Sequence, residues 1–509
     1  MKNIFYLASL ACTLLFSGCD DFLTVESPDF STDVFWRDKK DVEAGLSAVY
    51  GQLENRTSNY GFAEHKYVVE AFRGDDILIG NDVNNYPNWK DLYAYTYDNE
   101  NSQTKEYWMN CYNGINYANN VVFGIDKVQE SGEKMSQEDY NHLLGEALFL
   151  RAYYHFKLIL NWEDIIIRDE YLTSEEQVHK EVASRVDCWE FICGEFEEAA
   201  RMLPETRPAA ELGRVTKNAA YSYLGWAYLT RAYEESAKKA DFLGLALTAL
   251  NNVKGVALEP NFESMFNGSN KNCQESIFEL QFTNVTSDGA YHKHAMHYWV
   301  AAPTMGGWDE IRVSEKMYNE FLSEGRIAAN GMYDARAYAS MIFNDPYYTA
   351  DNSIWGQYNY ADCFGSNPDV KYCFKKFLPA SYDEYAQSMV YTNVPLMRYA
   401  NVLLMKAEAL NEQNTESGRE EAISLINEIR RVHGKLPAME GTSYEAVKAQ
   451  IEHERLVEFS MECYRFYDLR RWGKLEAAMK ADGRVNFNAA EDGFLPIPLM
   501  EIQSNNAVK

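Results

Sequence analysis

Three groups of residues have the types and spacing that chemistry needs. Asp75 and Asp76 follow Arg73 and Gly74 in FRGDDILIGNDVNNYPNW, where two carboxylates either pair across a turn or accept hydrogen bonds from the hydroxyls of a sugar. His292, His294 and His297 sit together in AYHKHAMHYW, a spacing able to ligate a metal if the loop folds around one, and equally that of a polar rim. Aromatic rings form the third group. Tyr86 and Trp89 lie beside Asn84 and Asn85, Tyr298 and Trp299 precede Trp308 and Asp309, and Trp355 stands near Tyr358 and Tyr360. A glycan binder needs flat rings that stack on the apolar faces of pyranoses, flanked by Asp, Asn, Arg or Gln, on loops held by a rigid scaffold. Trp108, Trp162, Trp189 and Trp226 fall inside helical patterns and read as packing.

Signatures of catalysis are missing. There is no G-x-S-x-G, no G-x-x-x-x-G-K-[ST] and no G-x-G-x-x-G after a strand, and His453-Glu454 lacks the second His of H-E-x-x-H. We expect no catalytic residue, no cofactor and no bound metal. The 76 acidic residues still allow a chance pair of carboxylates, so a surface hydrolase remains an alternative. A formal charge of −28 argues against nucleic acid as a partner, because phosphate backbones need a basic surface. With 46% hydrophobic residues the chain buries a core, and 36 Tyr and 10 Trp exceed what a core needs.

The N-terminus addresses the chain to a membrane surface. Met1-Lys2 is followed by an apolar run over residues 4–16 and by Phe16-Ser17-Gly18-Cys19, the pattern of a lipoprotein signal peptide over residues 1–18 with lipid on Cys19. The run is too short to span a bilayer, which takes about 20 apolar residues. Residues 19–37 then read as a tether. The seven cysteines after Cys19 are odd in number and hold no C-x-x-C, so they fit small core residues better than a disulfide framework.

These side chains need elements to position them. Helical periodicity covers residues 39–54, 105–128, 137–160, 188–203, 216–235 and 241–254, and again 396–412, 418–432 and 451–473. Residues 60–98 read as a polar, aromatic loop. NAAYSYLGWAYLTRAY followed by ALTALNNVKGVALEPNF places small residues where two helices approach closely, the look of a tetratricopeptide hairpin. Residues 261–395 break the pattern, with short strand-like runs such as SIFELQF and one helical stretch near 314–322. The fold class is therefore mainly α: a tetratricopeptide-like helical repeat scaffold with a long irregular insertion that carries small β elements, the candidate ligand face. In 451–473 the apolar stripe Ile451, Leu456, Phe459, Cys463, Phe466 and Leu469 predicts one helix. Glu454, Glu458 and Glu462 share one face of it and need cations from Arg455, Arg465, Arg470, Arg471 or neighbouring helices.

Three C-terminal motifs carry a resemblance. ER-x-x-EF-x-x-E-x-x-RF-x-DLRRWG, the RYANVLLMKAEALNE of the helix before it, and FLPIPLMEIQSN near the end resemble, in order, the motifs of the SusD/RagB family. GEALFLRAYYHFKLIL is similar to that family's Arg-Ala-Tyr/Phe-Tyr helix, and Cys463 stands where the family commonly has Gly. The resemblance implies a SusD-like helical region over residues 38–260, the insertion over 261–395 and a C-terminal SusD/RagB region over 396–509. It implies a cell-surface lipoprotein of the outer membrane, with Asp20-Asp21 resembling the acidic tag of exported members. Its partners would be an oligosaccharide and a SusC-like TonB-dependent transporter that receives it. Asp75, Asp76, Tyr86, Trp89, Tyr298, Trp299, Trp308, Trp355 and Tyr358 are then the candidate ligand contacts. Some members serve peptide transporters, so peptide capture is the alternative.

Overall fold

The computed structural model describes residues 35–54, 64–131, 134–284, 293–365 and 371–508. The expected signal peptide, Cys19 and most of the tether lie outside the described residues, as does His292.

The chain opens with helices α1 (Lys39–Gly51), α2 (Glu64–Glu70), α3 (Pro87–Ala94), α4 (Ser102–Glu130), α5 (Gln137–Asn161), α6 (Arg185–Met202), α7 (Lys217–Glu234) and α8 (Lys239–Leu250). From α4 onward each packs on its chain neighbour. α5 is the centre of the stack, buried at every position from Gly145 to Asn161, as expected for a helix that is apolar nearly all round. Ser136 starts it by accepting a hydrogen bond from the Asp139 amide. Close approach depends on glycine at two places: a Cβ on Gly114 would lie 2.4 Å from the Tyr154 ring, and one on Gly225 2.5 Å from Leu250. The small residues of the tetratricopeptide-like segment thus act as expected.

In the insertion, α9 (Met296–Val300), α10 (Glu315–Leu322) and α11 (Ala335–Ser340) are short. Three two-stranded antiparallel sheets organise it. β1 (Ile77–Ile79) pairs with β3 (Ile311–Val313), β2 (Ser276–Leu280) with β6 (Val394–Arg398), and β4 (Met341–Phe343) with β5 (Tyr372–Phe374). The β2–β6 pair brings the two ends of the insertion together, and β1–β3 ties its middle to the N-terminal region. Helical order resumes with α12 (Tyr399–Glu412), which packs on α8, and α13 (Glu416–Ile429). Then come α14 (Tyr444–Glu458), α15 (Arg465–Arg471), α16 (Leu475–Ala481) and α17 (Leu499–Ser504).

Three expectations are corrected. Residues 60–98 are not one loop, since they hold α2, β1 and α3. Residues 396–398 belong to β6 and not to the following helix, because they complete the ladder with β2. The segment 451–473 is two helices: α14 ends at Glu458, and α15 starts at Arg465 after a turn in which Met461 and Cys463 take φ of 63° and 65°. That left-handed backbone favours glycine, which is a physical reason for the family's residue at the Cys463 position.

The turn directs the three glutamates onto other elements rather than onto the arginines beside them. Arg398 Nη1 donates to Glu275 (2.6 Å) and Glu458 (2.9 Å), and its Nε and Nη2 reach Glu462 at 2.8 Å each. Arg336 pairs with Glu454 (2.7 Å) and Glu458 (3.1 Å), Arg430 with Glu454 (2.8 Å), and Lys376 with Glu462 (2.6 Å). His433 bridges Glu458 (2.9 Å) and Glu275 (3.0 Å) through its two ring nitrogens. All of these side chains are buried. Of the local arginines, Arg455 pairs with Asp468 across the turn (2.7 Å), Arg465 with Asp75, and Arg471 with Glu408 (2.8 Å) and Asp468 (2.9 Å).

Removing one member leaves buried charge uncompensated. Glu458→Ala is expected to lower the unfolding free energy by about 3–5 kcal/mol in chemical denaturation. Burial lowers the His433 pKa, but Glu458 and Glu275 outweigh it and raise it to about 9. Its contribution is therefore complete below the unfolded value near 6.5 and is lost as pH rises towards 9. The stability difference between wild type and His433→Gln should shrink across that window, as read from denaturant midpoints.

Candidate ligand-binding site

The insertion gathers aromatic side chains from four separate segments into one row. Trp308 meets Tyr298 of α9 at a ring-centroid distance of 5.4 Å, and Tyr298 meets Tyr385 at 5.8 Å. Tyr385 meets Trp355 at 4.8 Å, Trp355 meets Tyr382 at 5.8 Å, and Tyr382 meets Tyr358 at 5.0 Å. Only Tyr385 is fully buried; the other five keep part of their surface open. Local bonds hold the rings in place. The Trp308 amide donates to Tyr298 O (2.7 Å), Trp355 Nε1 to Pro379 O (2.8 Å) and the Tyr385 hydroxyl to Met305 O (2.9 Å). Ser381 caps the short helix Tyr382–Tyr385. Glu384, next to Tyr385 in the chain, has its Oε1 buried with no hydrogen-bond partner among the described residues, and burial raises the pKa of its carboxyl.

Thus Tyr298, Trp308, Trp355 and Tyr358 come together, joined by Tyr382 and Tyr385, which the sequence reading missed. The SYDEY run that carries both was their only signal. Tyr360 turns away to stack on Phe364 (4.7 Å) and to donate to Lys371 O (2.9 Å).

The five other candidate contacts are not among the rings of this row. Trp89 and Trp299 are each 3% exposed and pack against one another at 5.6 Å, so neither offers a face to a ligand. Tyr86 is 38% exposed and stacks on Trp89 at 4.5 Å with 19° between the planes. Asp75 and Asp76 are buried. Burial would raise the Asp75 pKa, but Arg465 and Lys316 outweigh it and hold it at about 2. Burial, then the charge of Asp75, raises the Asp76 pKa to about 7. Asp75 joins α10 and α15 to the N-terminal region through these two ion pairs.

Two carboxylate–histidine groups have metal-ligand proximity. In Glu275, His433 and Glu458, both ring nitrogens already face carboxylates that Arg398 also holds. In Glu324, His453 and Glu454, Arg430 bridges the two glutamates, and His453 Nδ1 is 2.6 Å from Glu320. Both are charge-balanced by guanidinium groups. His294 and His297 are buried, with Nε2 of each at 2.7 and 3.0 Å from Thr392 O and Gln387 O, so they serve packing.

The model of the SusD family matches residues 274–509, and a model described as starch-binding associating with outer membrane matches residues 21–229. SusD-like protein P2 of Formosa agariphila is 24% identical, aligned over 96% of this chain and 95% of its own. A SusD superfamily protein of Bacteroides vulgatus superposes with a TM-score of 0.79 at 26% identity, covering 93% of this chain and 99% of that one. Surface glycan-binding protein A of Bacteroides thetaiotaomicron, solved in complex with laminarihexaose, shares the fold with a TM-score of 0.71 at 17% identity over 92% and 98% of the two chains. Matched by these two models over residues 21–229 and 274–509 and sharing this architecture along nearly its whole length, the chain belongs to the SusD family.

Proposed function

We propose that this protein is a cell-surface glycan-binding lipoprotein, anchored at the outer membrane by lipid on Cys19 and facing the exterior. It captures an oligosaccharide without chemical change and passes it to a SusC-like TonB-dependent transporter, over which it acts as a lid. The observation that carries the reading is the aromatic row Trp308, Tyr298, Tyr385, Trp355, Tyr382 and Tyr358. Neighbouring rings are tilted by 31–75° along it. Family membership supports the same reading, and the laminarihexaose complex of a relative makes a laminarin-type oligosaccharide the first probe.

Calorimetry on the chain lacking residues 1–19 tests this, with laminarihexaose and a maltooligosaccharide alongside a peptide library. Saturable oligosaccharide binding is expected, weakened at least tenfold by Trp355→Ala and by Trp308→Ala in variants that melt like wild type. Binding of peptides alone would replace this reading with peptide capture. Release of shortened products from a polysaccharide would make the protein a hydrolase.

A further inference from the structure

Most buried guanidinium groups of this acidic protein are matched by a carboxylate: Arg336, Arg398, Arg430, Arg455 and Arg471 each have at least one. Arg470 has none among the described residues. Only its Nη1 is engaged, donating to Leu160 O (2.8 Å) in the last turn of α5 and to Gly493 O (3.0 Å). Nε and Nη2 make no hydrogen bond among the described residues, although they form the planar fork that matches an oxyanion bidentately.

Arg470 lines a cavity of about 310 Å³ together with Arg185, Arg471, Tyr233, Tyr467 and Phe494. Phe494 lies between two guanidinium groups, 4.3 Å from Arg470 and 4.5 Å from Arg185, which gives the pocket an apolar wall. The charges can be balanced by pairs. Arg185 is answered by Glu234 (2.7 Å), which also lines the cavity, and Arg471 by Glu408 (2.8 Å). The C-terminal end of α5 supplies roughly half a negative charge to Arg470. What remains is positive, and it is reinforced by Arg73, which is fully buried, has no ion pair among the described residues and leaves Nη1 without a partner. The environment acts on Arg470 in that sense: burial, then Arg185 and Arg73, lowers its pKa to about 9.

We propose that this pocket is an anion site, separate from the aromatic row, in which Arg470 grips the carboxylate or sulfate of a monosaccharide-sized acid or of a free oxyanion. It shares no residue with the row. A volume near 300 Å³ is at the lower end of small-molecule pockets and suits one sugar ring or less. The site would let a protein of net charge −28 accept an acidic group that its overall field repels.

The test is calorimetry and thermal shift on the chain lacking residues 1–19, with sodium glucuronate, sodium sulfate and glucose, against sodium chloride at matched ionic strength. Glucuronate or sulfate should bind saturably and raise the melting temperature, while glucose does neither. Glucuronate binding without sulfate binding assigns the site to an acidic sugar; equal binding assigns it to the oxyanion alone. Arg470→Gln should weaken the anion at least tenfold, whereas Trp355→Ala leaves it unchanged. Arg470→Lys keeps the charge but loses the fork, so it should fold and bind more weakly than wild type. Absence of saturable binding of either anion to wild type, or wild-type affinity in both Arg470 variants, overturns the proposal.

Discussion

The two ends of the insertion that carries the aromatic row meet in one buried charge cluster centred on Glu458 and Arg398. Glu275 stands just before β2, where the insertion begins, Arg398 ends β6, where it closes, and Glu458 ends α14. A single guanidinium therefore joins both ends of the insertion to the C-terminal motif. Lys376 and Arg336 extend the same contacts into the insertion's interior. Charges taken out of water in this way add little net stability over a well-packed apolar core, yet breaking one pair is severe. What the cluster contributes is direction, because each hydrogen bond of Arg398 accepts only one placement of its carboxylate.

The aromatic row is the consequence of that fixing. Its rings come from α9, from the turn that carries Trp308, from the Trp355 region and from the helix Tyr382–Tyr385, none of which has more than a few residues of regular structure. They hold one another because the segments that carry them are closed at both ends by the β2–β6 ladder and tied in the middle by β1–β3. The helical stack supplies rigidity; the insertion supplies the surface. Asp75, bound by Arg465 and Lys316, links these two parts.

The helical scaffold was legible in the sequence because its signal is strong and local. α4, α5 and α7 repeat apolar residues at period 3.6 over several turns, and Gly114 and Gly225 mark the close approaches. The last three residues of β6 read as helix because LMR is a short run whose period cannot separate a strand end from the start of the helix that follows. The break after Glu458 was hidden because Met461 and Cys463 adopt the left-handed conformation with no glycine or proline to announce it. At the site, residue type located Tyr298, Trp308, Trp355 and Tyr358 but could not tell them from Trp89 and Trp299. Exposure is set by long-range packing: Trp89 is covered by Phe72 and Trp299, from segments that only the fold brings together.

A glycan held by the aromatic row should leave the charge cluster around Glu458 and Arg398 unchanged. Hydrogen–deuterium exchange on the chain lacking residues 1–19, with and without saturating oligosaccharide, reads both parts at once. The account predicts new protection confined to residues 296–308, 353–364 and 379–386, with 451–473 unaltered. Protection centred on the helices α4 to α8, with no change along those three segments, would contradict it.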